Sequence, residues 1–180
     1  MHTVGAFALI FDEGDRVLLC HRTDRDAWNL PGGRVEQHES PWATVVREVE
    51  EEVGLLVRVE RLLGVYSVAE RTDLVLNFHC VVIGGAERQS EEADEICWFD
   101  RKSIPSNTLP RHAERIEDAY SFKDGVCLKA QAQPFHRGDA QKAAPFLHPS
   151  CQTLGIIKCT TSHSPVLELP RASPNSSAWP

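Results

Sequence analysis

One segment constrains this chain more than any other: residues 33–55, which read GRVEQHESPWATVVREVEEEVGL. Ser40 followed by Pro41 is a helix start, a hydroxyl that can cap and then the residue that tolerates the first helical position. Gly54 is a natural left-handed stop. The spacing therefore predicts a helix over 41–53. At 100° per residue Trp42, Val45, Val46, Val49 and Val53 fall on one stripe, which is expected to be buried against a core. Glu48, Glu51 and Glu52 stand beside that stripe, three and four residues apart, so their carboxylates meet.

A solvated acidic face is the ordinary reading of such a run, and two costs argue against it. Like charges at these spacings destabilise a helix by about 0.2–0.5 kcal/mol per pair. Acids in the last turn also face the negative end of the helix dipole, where a basic residue would be preferred by about 0.3–1 kcal/mol. An external cation reverses both signs. Convergent carboxylates with no thiol or imidazole among them suit a hard, oxygen-preferring ion, so Mg²⁺ or Mn²⁺ is expected before Zn²⁺. Arg47 lies one turn before Glu51 and can pair with it, leaving Glu48 and Glu52 for the metal.

At Gly33, Glu39, Arg47, Glu48, Val49, Glu51, Glu52, Gly54 and Leu55 the segment meets every fixed position of G-x5-E-x7-R-E-U-x-E-E-x-G-U, with U a bulky aliphatic residue. In this it resembles the signature of the Nudix hydrolases. Trp28-Asn29-Leu30-Pro31-Gly32 is similar to the run that leads into that signature, and the resemblance covers about residues 3 to 122. It implies an α/β fold, a Nudix-type α/β/α sandwich with a mixed β-sheet between helices. It also implies a divalent-metal-dependent pyrophosphohydrolase that cuts the diphosphate of a nucleoside diphosphate linked to another group, such as ADP-ribose, a sugar nucleotide or a nucleoside triphosphate. Glu48 and Glu52 are the first metal ligands expected, Glu51 the next, with the Gly32 carbonyl turned toward the ion. Glu39 is a more distant ligand or helper, grouped with Gly33 among residues near the substrate. From outside the segment the resemblance suggests Glu95 as a ligand or base, chosen over Glu91 and Glu92 because it adjoins Ile96, where a strand is expected to begin. The partner implied is a nucleotide-type small molecule, and the reading allows a homodimer.

Charge excludes some classes. Residues 1–125 carry 14 Lys+Arg against 24 Asp+Glu, while 126–180 carry 5 against 2, so an acidic body precedes a mildly basic tail. An acidic body argues against a nucleic-acid polymer as partner, although metal-neutralised nucleotide phosphates remain acceptable. No apolar run approaches a membrane span and the first residues lack the pattern of a signal peptide, so a cytoplasmic location and no membrane partner are expected. The six cysteines form no C-x-x-C pair; Cys20, Cys80 and Cys97 lie in apolar runs and read as buried free thiols.

In chain order, residues 3–11 and 16–20 are β-favouring runs around the turn cluster Asp12-Glu13-Gly14-Asp15, and they read as a hairpin. Residues 27–30 form a short strand delivering the chain to Pro31-Gly32-Gly33. Strands are predicted over 56–68, 74–83 and 96–99, and a helix over 111–122 after Pro110. Arg22, Arg25 and Arg34 lie near the expected phosphate path. Phe7, Tyr66, Phe78 and Trp98 could stack on a base, although aromatics in strands are usually core. After Gly125 the periodicity stops and seven prolines fall within residues 130–180. The domain is therefore placed at 1–125, with 126–180 expected as a poorly ordered extension in which His136, His148 and His163 are not ligands. A nucleotide sensor that has lost turnover is the competing class, which loss of an acidic position would favour, and none is lost. A Ca²⁺ module is remote, because the alternating ligands of a calcium loop are missing.

Overall fold

The computed structural model describes residues 3–68, 73–122 and 125–131. In chain order the elements are β1 (Val4–Ile10), β2 (Val17–Arg22), β3 (Trp28–Asn29), β4 (Gly32–Arg34), α1 (Pro41–Val53), β5 (Leu55–Val68), β6 (Asp73–Gly85), β7 (Ala93–Phe99), α2 (Pro110–Ser121) and β8 (Cys127–Ala130). The strands form a mixed five-stranded sheet, β4-β1-β6-β5-β8, and a three-stranded sheet, β3-β2-β7. No helix among the described residues is long and apolar enough to cross a membrane.

Strand parity builds the α/β/α layering. Successive side chains of a strand point to opposite faces, and both faces of β1 and β2 are buried. Ala6, Ala8 and Ile10 of β1, with Leu18 and Cys20 of β2, pack against Val45, Val49 and Val53 of α1. The alternate residues, Leu9, Val17 and Leu19, pack against Ile116 and Tyr120 of α2. Such continuous apolar runs are what a sheet covered on both sides requires.

The predicted helix over 41–53 has the observed bounds. Ser40 Oγ accepts a hydrogen bond from the Ala43 N–H at 3.3 Å, and Gly54 closes the helix with φ 77°. Its last carbonyls are satisfied from the segment after β6, where the Arg88 and Ala86 N–H groups donate to Val53 and Gly54.

Three expectations are corrected. The hairpin over residues 3–20 closes only at its turn: Asp12 N–H donates to the Arg16 carbonyl and Phe11 bridges Val17 antiparallel, and the two strands then enter different sheets. The reason is that both edges of β1 are taken, by β4 antiparallel and by β6 parallel, while β2 lies between β3 and β7. Trp42 does not join the buried stripe; it is 60% exposed, because it lines an open groove between α1 and Val57, Val59 and Ile83 of β5 and β6 rather than packing on them. The sheet also continues past Gly125, since β8 pairs in parallel with Gly64–Ser67 of β5. Gln131 ties this strand to α2 by accepting from the buried Arg115 guanidinium at 2.8 and 3.0 Å. The remaining calls on the tail, including His136, His148 and His163, lie outside the described residues. Cys20, Cys80, Cys97 and Cys127 are free thiols.

Two outcomes follow from this packing. Val49→Ala, at a position with no exposure, should destabilise by about 2 kcal/mol in chemical denaturation, whereas Trp42→Ala should stay within about 0.5 kcal/mol of wild type. A chain ending at Gly125 should melt below one ending at Gln131, because it loses the β5–β8 pairing and the partner of Arg115.

Candidate active site

Two glycines set the geometry. Gly32 and Gly33 of β4 pair with Phe7 and Ala6 of β1, so Gly33 shares the face of the sheet covered by α1. A methyl group on Gly33 would lie 2.4 Å from Glu48 Oε1, and one on Gly32, at φ 137°, would lie 2.3 Å from the Ala6 carbonyl oxygen. Only glycine permits both approaches. The last two turns of α1 therefore rest directly on the β4 backbone.

Glu52 is the most confined acid of α1, 7% exposed, and its Oε2 accepts the Gly32 N–H at 2.9 Å. Among the described residues no basic side chain pairs with it. Burial, reinforced by the nearby charges of Glu48 and Glu92 and only partly offset by the Gly32 N–H, pushes its carboxyl up to about 8. Burial also raises Glu48, against the pull of Arg47.

Arg47 organises the outer side of the helix. It binds Glu39 through two nitrogens at 2.9 and 3.0 Å, Glu51 at 2.9 Å and Glu48 at 3.0 Å. Glu39 additionally accepts the Thr44 hydroxyl at 2.7 Å. The Arg47 guanidinium, then the Thr44 hydroxyl, hold the Glu39 carboxyl down to about 2. Glu39 thus lies outside the cleft, locked to the residue that aims two other acids.

Two adjoining cavities meet at this corner. One, about 330 Å³, is lined by Glu48, Glu51, Glu52, Ser90, Glu91 and Glu92. The other is a cleft of about 440 Å³ that shares Glu48, Glu52 and Glu92 and includes Gly32, Gly33, Arg22 and Arg34. Arg22 stays at its wall in a two-nitrogen pair with Asp24 at 2.7 and 2.9 Å. Arg25 also pairs with Asp24 and does not line the cleft. Of the aromatics, Phe7 reaches the cleft; Tyr66 and Phe78 are buried in the core, and the Trp98 indole N–H donates to Glu87.

Glu95 does not reach this corner. Ile96 and Trp98 pack on the α1 side of β7, while Cys97 and Phe99 pack on the other, and Glu95 has the parity of Cys97. Glu92 is the acid outside the helix that lines both cavities. Its position is anchored: its N–H donates to Ser90 Oγ, and its carbonyl accepts the Thr23 N–H. The strand starts at Ala93, three residues before the expected Ile96, and a bulge opposite His21 and Arg22 shifts the register. The alternation of Ile96 and Trp98 against Cys97 and Phe99 was a usable signal in the sequence; the bulge was not. His112 and Asn29, which also line the cleft, carried no sequence signal.

The donor set fits a hard divalent cation: five carboxylates around one corner, one of them, Glu52, buried with no basic partner among the described residues. Among the described residues no three acidic, histidine or cysteine side chains are already gathered at coordinating geometry, because Arg47 draws Glu48 and Glu51 toward the outer side.

Comparison with known proteins agrees with this geometry. The model of the NUDIX domain matches residues 1–120. A MutT-like protein of Streptomyces ambofaciens is 36% identical over 119 residues, covering 66% of this chain and 77% of that protein. An ADP-ribose pyrophosphatase of Methanocaldococcus jannaschii is 33% identical over 132 residues, covering 69% and 78%. In three dimensions, a NUDIX hydrolase from Nitrosomonas europaea superposes with a TM-score of 0.65 at 22% identity, covering 73% of this chain and 79% of the other. With the signature complete and its acids set against the β4 glycines, the chain belongs to the Nudix hydrolase family, enzymes that act on phosphoanhydride bonds.

Proposed function

We propose that the chain is a divalent-metal-dependent pyrophosphohydrolase that cuts the diphosphate of a nucleoside diphosphate linked to another group. The observation that carries this reading is Glu52, a buried carboxylate beside Glu48 and Glu92 with no cationic side chain paired to it among the described residues. Glu48, Glu52 and Glu92, with the Gly32 backbone, would hold Mg²⁺ or Mn²⁺, and Glu51 is the reserve ligand, drawn aside by Arg47. The ion would neutralise phosphate oxygens and acidify a bound water. The protein's own contribution is placement: Arg47 and Glu39 set the helix acids, and Arg22 and Arg34 line the way for the phosphates. Glu92 takes the role that the resemblance suggested for Glu95. Metal-dependent release of products from a panel of nucleoside diphosphate derivatives tests the reading, and full turnover in excess chelator would sink it. Binding without release would favour the sensor alternative.

Two outcomes are specific to the acids. Glu92→Gln should lower kcat by about 10²–10³, with Glu95→Gln within about twofold of wild type; equal effects of the two would refute the assignment of Glu92. The second concerns pH. Because folding raises Glu52 from 4.5 to about 8, the folded chain binds that proton more tightly than the unfolded one. Its contribution to stability is present below 4.5 and is lost as pH rises toward 8. In chelator, Glu52→Gln should therefore gain melting temperature relative to wild type as pH rises through this window. Saturating Mg²⁺ should reverse the order, since the metal stabilises only the charged wild type.

A further inference from the structure

The cleft does not end at the carboxylates. It passes the β4 edge to the opposite face of the sheet, where Phe7, Val75 and His112 line it. His112 sits in the first turn of α2, and that turn is zipped to the strand leading into the glycines: Leu109 N–H donates to the Trp28 carbonyl, and Trp28 N–H to the Asn107 carbonyl. The ring is 8% exposed and stands edge-on to Phe7, with centroids 4.8 Å apart.

One hydrogen bond decides what this ring offers. The Leu30 backbone N–H lies 3.1 Å from Nδ1. A backbone N–H only donates, so Nδ1 must be the acceptor and the neutral ring carries its hydrogen on Nε2. A second proton has no place on Nδ1, which faces a donor. Burial lowers the ring's basicity well below the usual range, and the neighbouring cations, Arg115 from α2, Arg22 from β2 and Arg111 from α2, oppose protonation as well. Nε2 has no hydrogen-bond partner among the described residues and is not among the fully enclosed polar atoms without one. It is left to face the cleft.

From this geometry we infer that His112 is a specificity-determining residue, a donor of fixed polarity that selects substrates presenting a carbonyl acceptor on the nucleobase over those presenting an amino group at the same place. The inference rests on the reading that the cleft holds a nucleoside diphosphate derivative. An amino group there would set donor against donor inside a desolvated wall. Sites that pair a substrate's polar group reject the mismatched analogue strongly, because both groups are left unpaired. Asn29, which lines the cleft with His112, adds no compensating acceptor: its amide donates to the Leu30 carbonyl, and its oxygen faces the Cys20 thiol.

The test uses the full chain and two pairs that exchange a keto for an amino group at this place. They are inosine against adenosine diphosphate derivatives and uridine against cytidine diphosphate derivatives, each with one shared leaving group; within each pair the keto-to-amino change also turns the adjacent ring nitrogen from N–H donor to acceptor, and His112→Phe separates the part of the preference that depends on the ring's donor. The keto member should show the higher kcat/KM by at least about tenfold, mainly through KM. His112→Phe, which keeps a flat ring and loses the donor, should bring the ratio to about one, and His112→Gln, which keeps a donor, should retain a preference. Nitrogen-15 correlation spectra of the wild-type ring should show the Nε2–H form throughout the range where a free histidine titrates. A preference for the amino member, equal rates in wild type, an intact ratio in His112→Phe, or a charged or Nδ1–H ring would each overturn the inference. If nothing is turned over, the hydrolase reading fails alone. Calorimetric binding of the four nucleoside monophosphates still decides the role of His112, with a keto preference supporting it and its absence refuting it.

Discussion

The hydrogen bond from the Gly32 N–H to Glu52 is the contact on which the rest of the site depends. It places a carboxylate where water is scarce, beside two other acids, and gives it one neutral donor in return. Left alone, such a group takes up a proton rather than keep its charge. The bond exists because Gly32 and Gly33 of β4 have no side chains to hold α1 away. That closeness in turn requires β4 to be stitched to β1 with its glycines opposite Ala6 and Phe7. The corner loses stability as this carboxyl ionises, which links its stability to its charge.

Around that corner the structure separates tasks that look alike in the sequence. Four glutamates of the signature surround Arg47 or the β4 glycines, yet their surroundings differ. Glu39 is clamped by a guanidinium and a hydroxyl and is strongly acidic. Glu51 is drawn outward, Glu48 is shared, and Glu52 is sealed. Arg47 can hold three acids because its planar fork presents five donors in fixed directions, which a lysine at the same place would not do. The same separation distinguishes the arginines: Arg22 and Arg34 line the cleft, while Arg25 serves the loop.

The two-sided sheet brings distant parts of the chain to one cleft. Parity along β1 sends Ala6 toward α1 and Phe7 toward α2, so a cleft that wraps the β4 edge touches both helices. Acids from α1 and a histidine from α2 thus face the same volume, although Glu52 and His112 are far apart in the chain.

The sequence by itself determined the helix over 41–53, its cap and stop, the apolar stripe of Val45, Val49 and Val53, and the cluster of acids beside it. Each of these depends on neighbours within a turn or two, where residue type and spacing suffice. The resemblance carried by that segment also conveyed the family and the α/β/α layering. Only the tertiary structure decided the rest. Trp42 lies on the correct stripe but faces β5 and β6 across an open groove instead of packing on them. The runs around Asp12 look like a hairpin, but which edges of β1 are filled depends on β4 and β6. A bulge across from His21 gives Glu92 rather than Glu95 the view of the carboxylates, and bulges answer to pairing partners rather than to local residue type. The tautomer of His112 is set by a backbone donor from another element. Long-range pairing assigns these roles, and it leaves no period in the sequence to read.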